Sequence, residues 1–184
     1  MDGLGGDVRL SCASPCIDAG AVDAWSGSVD AEGEPRELDG DSDGTPTADM
    51  GADEFGLLWS APGTPQEGDW IAFRAEAPPA FAGQTAFVML SLGSGAASGG
   101  IAVPGTALTL GLDPDGAFQT WNACPPFLRT VVLGPCPGAS TPLIPLLPGS
   151  AGFRVYYAGV SYDGTLFTGL SPTRSLLVST APGP

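Results

Sequence analysis

Glycine and proline recur from one end of this chain to the other, 28 and 19 of them in 184 residues. Inside a helix each is unfavourable relative to alanine, glycine by about 1 kcal/mol and proline by about 3 kcal/mol. Segments bounded so closely by these residues favour short strands and turns over helices. Short apolar runs recur between Gly, Pro and Asp after Trp70. They predict strands at 70–77, 85–92, 99–103, 107–112, 117–123, 127–133, 141–147, 152–161, 165–169 and 175–179. Ten short strands at this spacing predict a β-sandwich or barrel, and no segment predicts a convincing helix.

Side-chain alternation sharpens the reading. In 153–160, a strand places Phe153, Val155, Tyr157 and Gly159 on one face. Arg154, Tyr156, Ala158 and Val160 fall on the other. Both faces are largely apolar, so this strand is expected at the centre of a sheet, and residues 85–92 behave alike. Asp113-Pro114-Asp115-Gly116 and Tyr162-Asp163-Gly164-Thr165 read as hairpin turns, because Asp-Gly supplies positive φ. Pro142 and Pro145 place 141–147 at a sheet edge.

Charge divides the chain. The formal net charge is −14, with no Lys and no His. Residues 1–56 hold 14 Asp/Glu against two Arg, net −12, and 57–184 hold six against four, net −2. An acidic surface adapted to salt would spread over both halves, so this local excess reads as a cation site. With no basic patch, neither nucleic acid nor an anionic membrane is an expected partner. No apolar run approaches the roughly 20 residues of a membrane-spanning helix. Residues 1–15 lack the features of a signal peptide. Either an export signal has been removed, or the chain is the C-terminal part of a longer one. The expected organisation is all-β: an acidic turn-rich unit over 1–56, a linker over 57–69, and an antiparallel β-sandwich over 70–184.

Asp39, Asp41 and Asp43 alternate with small residues, and Gly44 follows. That is the beginning of a calcium loop, with oxygen ligands at positions 1, 3 and 5 and glycine at 6. Position 12 falls on Met50, which cannot ligate calcium, so the loop is not an EF-hand. Asp49, Asp53 and Glu54 are the carboxylates available to close a shorter site, giving Asp39, Asp41, Asp43, Asp49, Asp53 and Glu54 as the candidate calcium ligands. The bland reading is a solvated acidic turn. Asp18 reads as an Asx-turn residue, and Arg36 as the partner of Glu34, Glu37 or the Asp loop in a surface ion pair.

Four cysteines at 12, 16, 124 and 136 allow three pairings. Sequence separation favours Cys12–Cys16 and Cys124–Cys136, which suit an oxidising extracellular or periplasmic setting. Four buried thiols are the alternative.

Residues 7–55 carry a further pattern. Asp7-Val8-Arg9-Leu10 is followed by Ser14-Pro15-Cys16-Ile17-Asp18-Ala19-Gly20. Glu34-Pro35-Arg36, Asp39–Gly44 and Asp49-Met50-Gly51-Ala52-Asp53-Glu54-Phe55 come next. In this order they resemble the closing segment of secreted bacterial right-handed parallel β-helix proteins. There an SPxIDAG turn and a DxDGxxxxDMGAxE element cap the last coils. The resemblance implies a β-helix-like cap in which any calcium is structural. Residues 83–178 more loosely resemble a C-terminal β-sandwich of secreted bacterial proteins, carried by Ile101–Pro104, Leu108–Leu110, Pro142–Pro148 and Phe153–Ala158. That resemblance implies a module without established chemistry.

Catalytic arrangements are missing from the sequence. Without His or Lys there is no Ser/His/Asp, Cys/His or Ser/Lys set. A carboxylate pair of glycosidase type would have to come from Glu67, Asp69, Glu76, Asp113, Asp115 and Asp163, which read as turn or edge residues. Trp25, Trp59, Trp70, Trp121, Tyr156, Tyr157 and Tyr162 either stack on sugars or fill the core. Trp59 and Trp70 are expected at the junction between the two units. The expected function is a non-catalytic, calcium-stabilised structural module of a secreted or cell-surface bacterial protein. It would serve extracellular architecture, attachment or self-association. If the 184 residues were a whole mature chain, a copy of the protein could cover the open end of so short a β-helix and build a filament. The alternative is a carbohydrate-binding module holding a polysaccharide.

Overall fold

The computed structural model describes residues 10, 14–21, 27, 29–30, 36–37, 40, 45–51, 54–61, 63–106, 109–134, 138–146, 148–171 and 173–180. The fold is all-β: the described residues form several antiparallel sheets, one α-helix and two short 3-10 turns.

Its backbone is strand β10, Arg154–Tyr162. One edge of β10 pairs with β4, Thr85–Ser91, from Tyr156↔Ser91 to Tyr162↔Thr85. Its other edge is shared. β12, Arg174–Leu177, pairs with Arg154–Tyr157, and β11, Phe167–Leu170, pairs with Val160–Tyr162. Ser171 fills the gap between them: its N–H donates to Gly159 O, and its hydroxyl accepts from Gly159 N. β7, Thr130–Val132, completes the five-stranded sheet beside the first half of β4.

A second sheet holds β1 (Leu58–Ser60), β3 (Arg74–Glu76) and β8 (Ala139–Ser140), all antiparallel. Two ribbons complete the strands. β2, Trp70–Ile71, pairs with β9, Ile144–Pro145. β5, Ile101–Ala102, pairs with β6, Thr109–Leu110.

The alternation of β10 works as its sequence implies. Tyr157 joins a core with Trp59, Phe73, Ala75, Val88, Val131 and Leu176, contributed by both sheets. Ala158 and Val160 join a second core with Val103, Leu110 and Leu112, against which Phe87, Met89 and Phe118 pack. Both faces of the central strand are therefore covered. The Asp163-Gly164 turn also forms: Asp163 Oδ1 accepts from Thr165 N and Leu166 N, and Gly164 has φ 104°.

Three expectations are corrected. Residues 116–123 form helix α1, Gly116–Ala123, where a strand was expected. Asp115 is its N-cap and accepts from Phe118 N at 2.8 Å, so Asp113–Gly116 starts a helix instead of turning a hairpin. Arg129 binds the far end, donating to Asn122 Oδ1 and Asn122 O. The helix covers the half of β4 that β7 leaves open: the Trp121 indole N–H donates to Val88 O at 2.8 Å. A covered strand edge cannot recruit a foreign strand.

The second correction concerns 57–69. This stretch supplies β1 and two core residues, Leu57 and Trp59, and is not a plain linker. The third is Trp70, which does not share the burial of Trp59. Trp59 is 1% exposed and Trp70 62%.

Candidate functional site

The acidic cap is built by carboxylates that accept backbone N–H groups, some near and some far away in sequence. Asp49 is 2% exposed. Its Oδ1 accepts from Asp18 N at 2.7 Å, and its Oδ2 from Phe55 N at 2.6 Å. Asp49 N donates to Glu54 Oε2 at 3.0 Å, and Glu54 N to Asp30 Oδ2 at 3.0 Å. Asp18 Oδ1 accepts from Gly40 N. Backbone bonds from Met50 N to Cys16 O and from Gly20 N to Ala48 O join 14–21 to 45–51. A buried amide without a partner costs about 1–3 kcal/mol, so these carboxylates do work that strands perform elsewhere.

The Ile17-Asp18-Ala19-Gly20 pattern now has a physical reason. Asp18 sits at φ 51°, a conformation that Asp tolerates better than most residues. A Cβ on Gly20 would come within 2.5 Å of Asp49 O. Gly40 is squeezed likewise, since a Cβ there would meet Ile17 Cγ2 at 2.9 Å and Phe55 O at 3.1 Å. Asp18, expected in a local Asx-turn, makes a long-range bond to Gly40 N.

Arg36 departs from expectation too. Its NH1 lies 3.2 Å from Glu54 Oε1, and its NH2 donates to Gly51 O at 3.0 Å. Among the described residues its partner is Glu54, with side chains 12% and 0% exposed; Glu34 and the Asp loop lie outside the described residues. Burial pushes the Glu54 carboxyl up to about 7. The neighbouring Asp49 and Asp30 charges push the same way, while the Asp49 N–H and Arg36 pull against them.

Of the six candidate ligands, Asp49 and Glu54 are described, while Asp39, Asp41, Asp43 and Asp53 lie outside the described residues. In this arrangement backbone amides and Arg36 engage Asp49 and Glu54. Among the described residues no three His, Cys, Asp or Glu side chains converge on a metal position. Cys16 and Cys124 pair with no other described cysteine, and their expected partners Cys12 and Cys136 lie outside the described residues. The importance of Asp30 was missed in the sequence, where nothing local marks its bond to Glu54 across 24 positions.

The downstream carboxylates repeat the theme. Glu67 Oε2 accepts from Gly149 N and Ala151 N, and Asp69 Oδ2 accepts from Gln66 N. Glu76 pairs with Arg74 Nε at 2.8 Å. Asp115 accepts from Leu92 N and the Ser91 hydroxyl besides its cap bond. Burial works against its charge, but these bonds outweigh it and hold the carboxyl below its usual value. A groove of about 380 Å³ between α1 and the end of β4 is walled by Leu90, Leu92, Ala117, Trp121 and Val155, with no carboxylate in its lining. It does not supply the carboxylate pair of a glycosidase.

The aromatics mostly pack inside. Trp59, Trp121 and Tyr157 belong to the larger core, and Tyr162 packs its ring on Phe167. Among the described tryptophans only Trp70 is exposed, and Trp25 lies outside the described residues. No family model, curated protein or solved structure matches the chain.

Proposed function

We propose that the protein is a non-catalytic structural module of a secreted or cell-surface protein. Its acidic unit would serve as a cross-linked cap beside the β-sandwich. The observation that carries this reading is the use of Asp18, Asp30, Asp49 and Glu54 as acceptors for backbone amides. Side chains spent on holding the chain are not free for substrate. Calcium enters the proposal through Asp39, Asp41 and Asp43, whose alternation suits a hard cation. Asp49 and Glu54 would then brace the loop without ligating the ion.

Role and ion are tested together by melting the protein with and without EDTA, followed by calcium titration. The reading expects a clear fall in Tm with EDTA, restored by calcium and not by magnesium. A Tm indifferent to EDTA and calcium sinks the structural-calcium reading. Turnover of a polysaccharide by the purified protein would sink the non-catalytic one. Self-association, the second element of the proposal, is checked by light scattering across the same titration. Counting thiols in the denatured, unreduced protein tests the extracellular setting. Four free thiols would remove the support that Cys12–Cys16 and Cys124–Cys136 lend to it.

A further inference from the structure

Asp113 occupies an unusual position at the entrance to α1. Its N–H donates to Gly93 O at 3.2 Å, and its carbonyl oxygen accepts from Asp115 N at 2.8 Å. Its carboxylate packs against Gly93 so closely that a Cβ on Gly93 would overlap Oδ2. The other oxygen, Oδ1, is buried and has no hydrogen-bond partner. The carboxylates of Asp49, Glu67, Asp69, Asp115 and Asp163 all accept backbone N–H groups; this oxygen has been left without one. A buried oxygen in that state calls for a reason, and a chemical role is one.

The residue that follows is Pro114. An aspartic side chain reaches its own main-chain carbonyl carbon by closing a five-membered ring. Before proline the nitrogen that leaves is a tertiary amide nitrogen, more readily protonated than a secondary one. We propose that the Asp113–Pro114 bond is a self-cleavage site. In the carboxylic acid form, a carboxyl oxygen bonds to the Asp113 carbonyl carbon and the bond from that carbon to Pro114 N breaks. The carboxyl proton passes to Pro114 N, which leaves as a secondary amine. The cyclic anhydride left on Asp113 takes up one water and opens to two carboxyl groups. The sum is hydrolysis, with water as the sole co-reactant.

The fold assists at two points. An oxygen without hydrogen bonds is a ready nucleophile, held on the residue it attacks. The Asp115 N–H already points at the carbonyl oxygen on which negative charge develops. Cleavage would not release either piece. β4 belongs to 1–113, whereas its partners β7 and β10 belong to 114–184. The products would remain one folded, nicked protein.

The test is intact-mass spectrometry under denaturing conditions after incubation in mildly acidic buffer. Two polypeptides, 1–113 and 114–184, are expected, with masses adding to the intact chain plus one water. The folded protein should cleave at least about tenfold faster than the same protein held unfolded in urea at the same pH. Asp113→Asn and Pro114→Ala should both stay intact; Pro114 is exposed, so the second variant keeps the packing. Equal rates in the folded and unfolded protein, or unchanged cleavage in Asp113→Asn, would overturn the proposal, as would a folded wild-type chain that stays whole.

Discussion

Gly159 lies against the indole of Trp59, so closely that a Cβ on the glycine would overlap ring atoms Nε1 and Cδ1. Glycine at the middle of the longest strand is thus the counterpart of a tryptophan that is 1% exposed. A residue this size buries about 150–250 Å² on folding, and the sheet makes room by omitting a side chain. Gly159→Ala is expected to destabilise the protein by about 1–3 kcal/mol. Trp59→Ala should cost about 3–5 kcal/mol. The double variant should be less unstable than the sum of the two. The rescue stays partial, because the new methyl also crowds Phe87 O at 2.6 Å. Urea unfolding of the four proteins checks the cycle, and strict additivity would contradict the packing argument.

Asp49→Ala removes the acceptor for two amides at once, Asp18 N and Phe55 N. A loss of about 2–6 kcal/mol is expected, from two donors left without a partner at about 1–3 kcal/mol each. Asp49→Asn keeps one acceptor oxygen and should fall between Ala and wild type. Amide exchange should locate the damage, with Asp18 and Phe55 losing protection first.

The pH dependence has a defined sign. The folded Glu54 carboxyl lies at about 7, above its usual 4.5, so the fold binds this proton more tightly than the unfolded chain does. The stability it contributes is complete below 4.5 and is lost as pH rises through about 7. Tm should therefore climb as pH falls through that window, and Glu54→Gln should flatten the climb. An unchanged slope in the variant would assign the effect to other acidic groups.

Asp115 titrates in the opposite sense. Its folded carboxyl lies below the usual 3.8, so its contribution is present above 3.8 and is lost as pH falls through the lower folded value. Asp115→Ala should cost about 1–2 kcal/mol through the lost cap. Asp115→Ser should restore part of it. Circular dichroism and thermal melts at neutral pH rank the three.

The sequence made β10 and β4 legible because their residues alternate with period two and both resulting faces are apolar. The Asp163-Gly164 turn was legible because positive φ leaves a residue-level mark. α1 was hidden by a shared vocabulary: Asp115-Gly116 suits a turn and equally suits a helix start, and only Leu92 N and Ser91 arriving from β4 decide between them. β1 was hidden by brevity, since a three-residue strand between Gly56 and Pro62 carries too few positions to show a period. Asp49 and Glu54 stood out as charges but not as clamps. Their partners Asp18 and Asp30 act from 31 and 24 positions away, and no local pattern encodes such a meeting.

The run from Glu54 to Trp59 carries a mechanical consequence. Phe55, Leu57 and Trp59 are all buried, Phe55 N is fastened to Asp49, and β1 lies in register with β3. No slack separates the acidic cap from the sandwich. Tension applied to the cap reaches the β1–β3 ladder within a few residues and loads its hydrogen bonds together, along the strand axis. The junction would thus behave as a stiff coupling, and a protein built on it would transmit pull where a hinge would absorb it.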